Sequence, residues 1–355
     1  MGSSLLTNQS AMNALQTLRA IGDNMDMTQR RVSTGLRINE ASDNTAYWSI
    51  SSMMKSDRNA LSSVSDAMAL GKSQIDVANA TIDKSKTYLD NIQKSLTTAY
   101  EKGAGDLAKI QADIKANMND IRSAVYSASL AEKNILGNGG ESVRIAGSYR
   151  REGSAVYVDM IDVGGSDLNF ATKSTGGDFD LTQGVLKDVF SKADAPIDFA
   201  DLESKLATAQ KDLAAKGDAA TDDDKNKVSQ AQDAIKNAVS AMTVQDFVTT
   251  DFTNISSSTL ETIVKSVQSK VTTATSNVVT AGAALGAAKA QVTGQIDYVS
   301  KLIDSVDKGV GALVDADMNA ESARLASLQV QQQLGIQALS IANQNSQNIL
   351  ALFRQ

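Results

Sequence analysis

Neither cysteine nor histidine occurs among the 355 residues. Disulfide staples, thiolate metal sites, catalytic thiols, histidine general bases and HExxH zinc sites are therefore excluded, and with them most common catalytic constellations. Aromatic residues are scarce, at 4% against 42% hydrophobic residues in all. Burial must come from Ala, Val, Ile, Leu and Met. A single proline, Pro196, leaves long tracts on either side free to run as helix. No stretch of about 18 apolar residues occurs, so no membrane span is expected. Residues 1–8 (MGSSLLTN) lack a basic and an apolar region, and no cleavable secretory signal or myristoylation site is expected there. The formal net charge of −7, with no basic cluster, argues against binding nucleic acid or an anionic membrane.

What the chain does have is a packing period. Positions 61, 64, 68, 71, 75, 78, 82, 85, 89, 92, 96 and 99 step by three and four and are mostly large apolar residues or alanine. Gly103 and Gly105 interrupt the pattern, which resumes over Leu107, Ile110, Ile114, Ile121 and Val125 and predicts an antiparallel helix pair. The same stepping from Leu260 to Val306 predicts a third helix of more than about 40 residues, roughly 60–70 Å long. The run AGAALGAAKA at 281–290 fits close contact between helices in water, since it carries Lys289. Two terminal seams flank these: Ala11, Leu15, Leu18, Gly22, Met25, Val32 and Leu36, then Leu325, Leu328, Gln332, Gly335, Leu339, Ala342, Ser346, Ile349 and Phe353. The order is nested, and the expected fold is mainly α with a small α+β insert.

The centre differs. Residues 141–163 alternate apolar and polar side chains about a polar break, which predicts a β-hairpin. Residues 165–250 hold nine basic against fifteen acidic residues, most of the excess charge, with a polar helical segment around Asp201–Met242. Asp222-Asp223-Asp224 reads as a solvated loop between helical stretches rather than a cation site, because the spacing of a calcium loop is missing. Asp315, Asp317 and Glu321 read as the opening of the last helix, where carboxylates complement the dipole. Tyr47 and Trp48 read as a buried joint between helices. No residue pattern calls for a metal or cofactor.

The C-terminal stretch LQVQQQLGIQALSIANQNSQNILALF, 328–353, carries no charge. A helix immersed in water normally has charged flanks beside its apolar seam. Amides hydrogen-bond without the desolvation cost of ions, so this helix suits surroundings made of other protein and looks unfinished in a monomer.

RVSTGLRINEASDNTAYWSIS (31–51) resembles the N-terminal signature of bacterial flagellins, and QQQLGIQALSIANQNSQNILALFR (331–354) their C-terminal signature. The AYWSI version is most similar to alphaproteobacterial flagellins. The resemblance implies a non-enzymatic structural subunit that homopolymerises, alone or with other flagellins, into the helical filament of the extracellular flagellum. It also implies unfolded export through the flagellar type III apparatus. Implied partners are an export chaperone on the C-terminal helix, the filament cap and the hook-filament junction proteins. By the family pattern, 1–44 with 308–355 form the inner tube, 45–164 with 251–307 the shaft, and 165–250 a variable outer domain. Leu15, Leu18, Met25, Val32 and Leu36 would face Leu325, Leu328, Leu339, Ala342, Ile349 and Phe353. Arg31, Gly35, Arg37, Asn39 and Asp43 match the connecting motif, where the helix must bend or break. The stretch matching the innate-receptor site departs from the family pattern: Leu89 is kept, but Asn91 and Gln93 replace arginines and Lys94 a glutamate, so weak receptor activation is expected. Ser346 stands where the family often has proline, and Gln355 follows the usual terminal arginine. A minor or junction-like flagellin, and an adhesive outer domain, are alternative roles. Peptidase inserts, known in some flagellins, would need a histidine or a nucleophile motif that 165–250 lacks.

Overall fold

The computed structural model describes residues 8–102, 106–153, 155–173, 178–193, 197–253 and 255–352, with only the backbone described at 101–102 and 345–352. The chain divides into two compact units, Met1–Ser63 with Ser300–Gln355, and Val64–Val299. The segments expected to form an inner tube lie in the first; residues 165–250 lie in the second.

In the first unit, α1 (Gln9–Thr34) packs against α9 (Met318–Leu352). The Asn8 side chain caps α1 by accepting the Ala11 N–H at 3.0 Å. Its amide donates to the Ala342 carbonyl at 3.0 Å. Farther along, Leu18 lies over Gly335, and Arg31 pairs with Glu321 at 3.2 Å. Residue numbers rise on one helix as they fall on the other, so the pair is antiparallel. A small core of Ile38, Val310 and Val314, packed by Leu36, Met54, Val306 and Leu313, closes the unit.

In the second unit the seam residues are the core. Met68, Ile75, Leu89, Ile92 and Leu96 of α2 (Thr45–Lys102) are fully buried. So are Ile114, Ile121 and Val125 of α3 (Leu107–Ser127), and Val267, Val271, Val278, Leu285 and Val292 of α8 (Ser257–Val314). Each such side chain contributes roughly 1.5–3 kcal/mol of transfer free energy. Lys289 Nζ meets Asp76 at 2.6 Å, Gly282 faces Ile82, and the Tyr100 hydroxyl donates to Glu261 at 2.6 Å, which makes α2 and α8 antiparallel here. At 58 residues, α8 exceeds the expected minimum. The interruption expected at Gly103 and Gly105 lies outside the described residues.

The expected hairpin is present: β1 (Val143–Glu152) pairs antiparallel with β2 (Ala155–Val163), with a bulge between Ala146 and Ser148. Ile145 sits directly on Gly71 of α2, where a Cβ would come within 2.3 Å. Gly71 therefore occupies its seam position to admit the hairpin.

Beyond the hairpin lie a two-stranded ribbon, β3 (Thr172–Lys173) with β4 (Phe179–Asp180), and the short α4 (Lys187–Phe190). The polar segment then resolves into two packed helices, α5 (Phe199–Lys216) and α6 (Asp222–Ala241), followed by α7 (Val244–Thr249). Phe170, Leu186, Phe199 and Phe247 anchor this region in the core.

Three expectations are corrected. Asp222-Asp223-Asp224 is the first turn of α6 rather than a loop: Thr221 and Asp224 exchange backbone and side-chain hydrogen bonds as a capping box, and the carboxylates meet the positive end of the dipole. Asp224 is buried there, 2.6 Å from Lys216 Nζ. Asp315 does not open α9. It forms a backbone bridge to Leu36, while Asp317 accepts the N–H groups of Asn319 and Ala320. Tyr47 and Trp48 are exposed rather than a buried joint, because the small core of the first unit reaches Met54 but not the first turn of α2.

Candidate functional site

Without a ligand-binding motif, the functional residues to locate are those of the terminal helices and the joint that follows α1. Gly35 takes the left-handed conformation at φ 70° and donates its N–H to the Arg31 carbonyl at 2.9 Å, ending α1 in the manner that favours glycine. The chain then pairs with the end of α8: Arg37 N–H and Ile38 N–H donate to the Val314 carbonyl at 2.7 and 3.3 Å, and Ala316 N–H to the Gly35 carbonyl at 2.9 Å. The Arg37 guanidinium donates to the Leu313 carbonyl at 2.8 Å.

Asp43 holds the next turn, accepting the N–H groups of Asn39 and Glu40 at 2.9 and 3.2 Å. Those bonds, first Asn39 and then Glu40, hold its carboxyl below the usual carboxylate range, with Arg31 and Arg30 assisting. The motif residues Arg31, Gly35, Arg37, Asn39 and Asp43 thus act together as a backbone clasp. Two contributors escaped the sequence reading. Asn44 accepts the Tyr47 N–H at 3.1 Å at the start of α2, and an asparagine just before a helix could have signalled it. Asn8 could have been found the same way. No sequence signal identifies Glu321 as the partner of Arg31.

On the helices themselves, Leu18, Met25, Val32 and Leu36 of α1 and the following joint are half-buried, as are Leu325, Leu339 and Ala342 of α9, and Leu328 is buried. Leu15 stays 40% exposed. The side chain of Ile349, and Phe353 altogether, lie outside the described residues. On α9, Val330, Leu334, Ile336 and Ile341 are between 56% and 61% exposed, so its apolar residues point all round while the partner helix covers one side. A helix of that kind is stable when protein surrounds it. In the second unit, Leu89 is buried in the α2 seam, Asn91 donates to Asn117 at 3.4 Å, Gln93 is half-buried and Lys94 is exposed. Leu89 therefore presents no surface to a receptor.

Long paired helices, the last of them free of charge over residues 326–353 and covered by its partner on one side only, define a helical protein of the self-assembling class. Residues 5–138 match the family model for the bacterial flagellin N-terminal helical region, and residues 268–353 that for the C-terminal helical region. A flagellin of Bartonella bacilliformis is 49% identical over 364 residues, covering 96% of this chain and 97% of that protein. A flagellin of Brucella melitensis is 38% identical over 351 residues, covering 99% of each. Flagellin A of Rhizobium meliloti is 34% identical over 403 residues, covering 99% of this chain and all of the relative. The chain belongs to the bacterial flagellin family and is a structural subunit of the flagellar filament.

Proposed function

We propose that the exposed faces of α1 and α9 are the surface through which copies of this chain polymerise, and that the clasp at Gly35–Asp43 fixes how that pair leaves the rest of the subunit. The observation that carries this reading is the exposure of Val330, Leu334, Ile336 and Ile341 on the part of α9 that has no charged residue, 326 onward. Leaving so much apolar surface in water is unfavourable, and burial against further copies removes the cost. The work is mechanical, and no residue is assigned a catalytic role. Type III export in an unfolded state fits a chain without cysteine to cross-link in transit. A chaperone covering α9 before assembly fits the same exposed apolar residues, and the cap and junction proteins are the partners at the filament ends.

The test is a chain lacking residues 326–355. It should remain soluble, keep the helical circular dichroism of α2, α3 and α8, and fail to sediment or to form filaments on seeding. Native filaments formed by that chain would overturn the assignment.

A further inference from the structure

With cysteine absent, methionine is the only sulfur in the chain, and burial divides the methionines by unit. In the second unit Met68, Met118 and Met242 are at most 3% exposed, and Met160 on the hairpin is the one that is open. In the first unit no described methionine is buried. Met12, Met27, Met53 and Met318 are between 38% and 55% exposed, and Met25 and Met54 are half-buried.

Met12, Met27 and Met318 stand on the helix pair assigned above to polymerisation. Three contacts set their places along it: Asn8 with Ala342, Leu18 with Gly335, and Arg31 with Glu321. Met12 lies between the first and second, Met27 between the second and third, and Met318 beyond the third. Sulfur therefore samples the pair along its length. An unbranched, polarisable side chain suits a face that must fit whatever packs on it, and methionine is over-used on adaptable binding surfaces.

The same thioether accepts an oxygen atom from a peroxide. The sulfur lone pair takes one oxygen as the O–O bond breaks, water leaves, sulfur is oxidised by two electrons and the peroxide is reduced by two. The sulfoxide is a polar acceptor with no donor of its own. On a face that is buried when a second copy packs against it, that oxygen loses its water and opposes association. Two thiols reverse the step, giving thioether, disulfide and water.

We infer that Met12, Met27 and Met318 are oxidation sites that control assembly: a peroxide converts them to sulfoxides in the free subunit and stops it polymerising, and burial in the filament protects them. The inference rests on the polymerisation reading above and adds its regulation. Met53 and Met160 are as exposed but lie off the terminal pair, so their oxidation leaves assembly unchanged.

The test is partial oxidation of the full-length monomer by hydrogen peroxide, then seeding, sedimentation and peptide mass spectrometry of both fractions. Sulfoxides at positions 12, 27 and 318 should be depleted from the pellet and enriched in the supernatant, while those at 53 and 160 divide evenly. Full oxidation of the exposed methionines should raise the critical concentration about tenfold or more, the scale of one buried unpaired polar group. The two stereospecific methionine sulfoxide reductases should restore it, which separates sulfoxides from damage to Trp48. A chain carrying Met12→Leu, Met27→Leu and Met318→Leu, replacements that conserve volume, should polymerise before and after peroxide. Even division of all five sulfoxides, or an oxidised chain that polymerises at the original concentration, overturns the inference and leaves the α1 and α9 assignment intact. Peroxide reaching positions 12, 27 and 318 as fast in finished filaments as in the monomer overturns that assignment and the inference together.

Discussion

Gly71 and Gly286 occupy the interiors of two equally long helices for different reasons. A Cβ at Gly71 would lie 2.3 Å from Cγ2 of Ile145, a β-branched side chain with little freedom at χ1, whereas a Cβ at Gly286 meets nothing within 4 Å. Alanine relieves the entropic cost of a helical glycine by about 1 kcal/mol at either position. At Gly71 that gain is outweighed by overpacking of about 1–3 kcal/mol. Gly286→Ala should therefore raise the denaturation midpoint of the monomer and Gly71→Ala lower it; midpoints moving in the same direction would contradict the packing argument. Gly35 is a third case, with open space around it but φ of 70°. Gly35→Ala should cost about 1 kcal/mol through conformation alone. The step of three and four in the sequence locates Gly71 on the seam without explaining it, because its reason is Ile145, far along the chain. The need for Gly35 was legible, since a family motif that must break a helix leaves few other choices.

At the scale of elements, legibility followed periodicity. The seams of α2, α3 and α8 were readable because one face of each is buried along its length, which forces apolar residues into a regular step. Asp201–Met242 read as one polar segment because α5 and α6, though packed together, bury few apolar side chains, and their boundary is marked by hydrogen bonds rather than by apolar residues. The three aspartates are where charge counting misled: a run of carboxylates reads as solvated, yet here it starts a helix. Lys216 first, then the hydroxyl and N–H of Thr221, hold the Asp224 carboxyl far below the usual carboxylate range. A group whose folded pKa lies below its unfolded one contributes stability that is complete above about pH 4 and is lost as pH falls from there toward the folded value. Thermal unfolding of α5 and α6 should thus be steady from neutral pH to about pH 5 and decline in stronger acid. Asp224→Asn should remove part of that acid sensitivity, and Thr221→Ala should cost about 1 kcal/mol at neutral pH. An unchanged acid profile in Asp224→Asn would rule out the capping box as its source.

For the whole molecule, the nested order of helices and the unfinished C-terminal helix were both legible, the first from the repeated step and the second from missing charge. The partner surface was not, because a one-chain pattern shows that a face is uncovered without showing what covers it. The two units differ in how much each buries. Within the chain, Thr28 is the one buried residue of α1, and Leu328 the one buried hydrophobic residue of the described part of α9, whereas α8 buries its seam from Leu260 to Val299 with Ala288 and Gln295 alone half-buried. Opening free energies follow buried contact, so the amides of α1 and α9 in the monomer should exchange with solvent on the order of 100-fold or more faster than those of the α8 seam. Polymerisation that covers Val330, Leu334, Ile336 and Ile341 should slow α1 and α9 selectively and leave the α8 seam nearly unchanged. Hydrogen exchange followed by mass spectrometry on matched monomer and filament samples reads both helices at once. Protection of α9 in the monomer equal to that of α8 would mean that the α1 and α9 pair is already complete in a single chain, and the exposed apolar residues would then need another explanation.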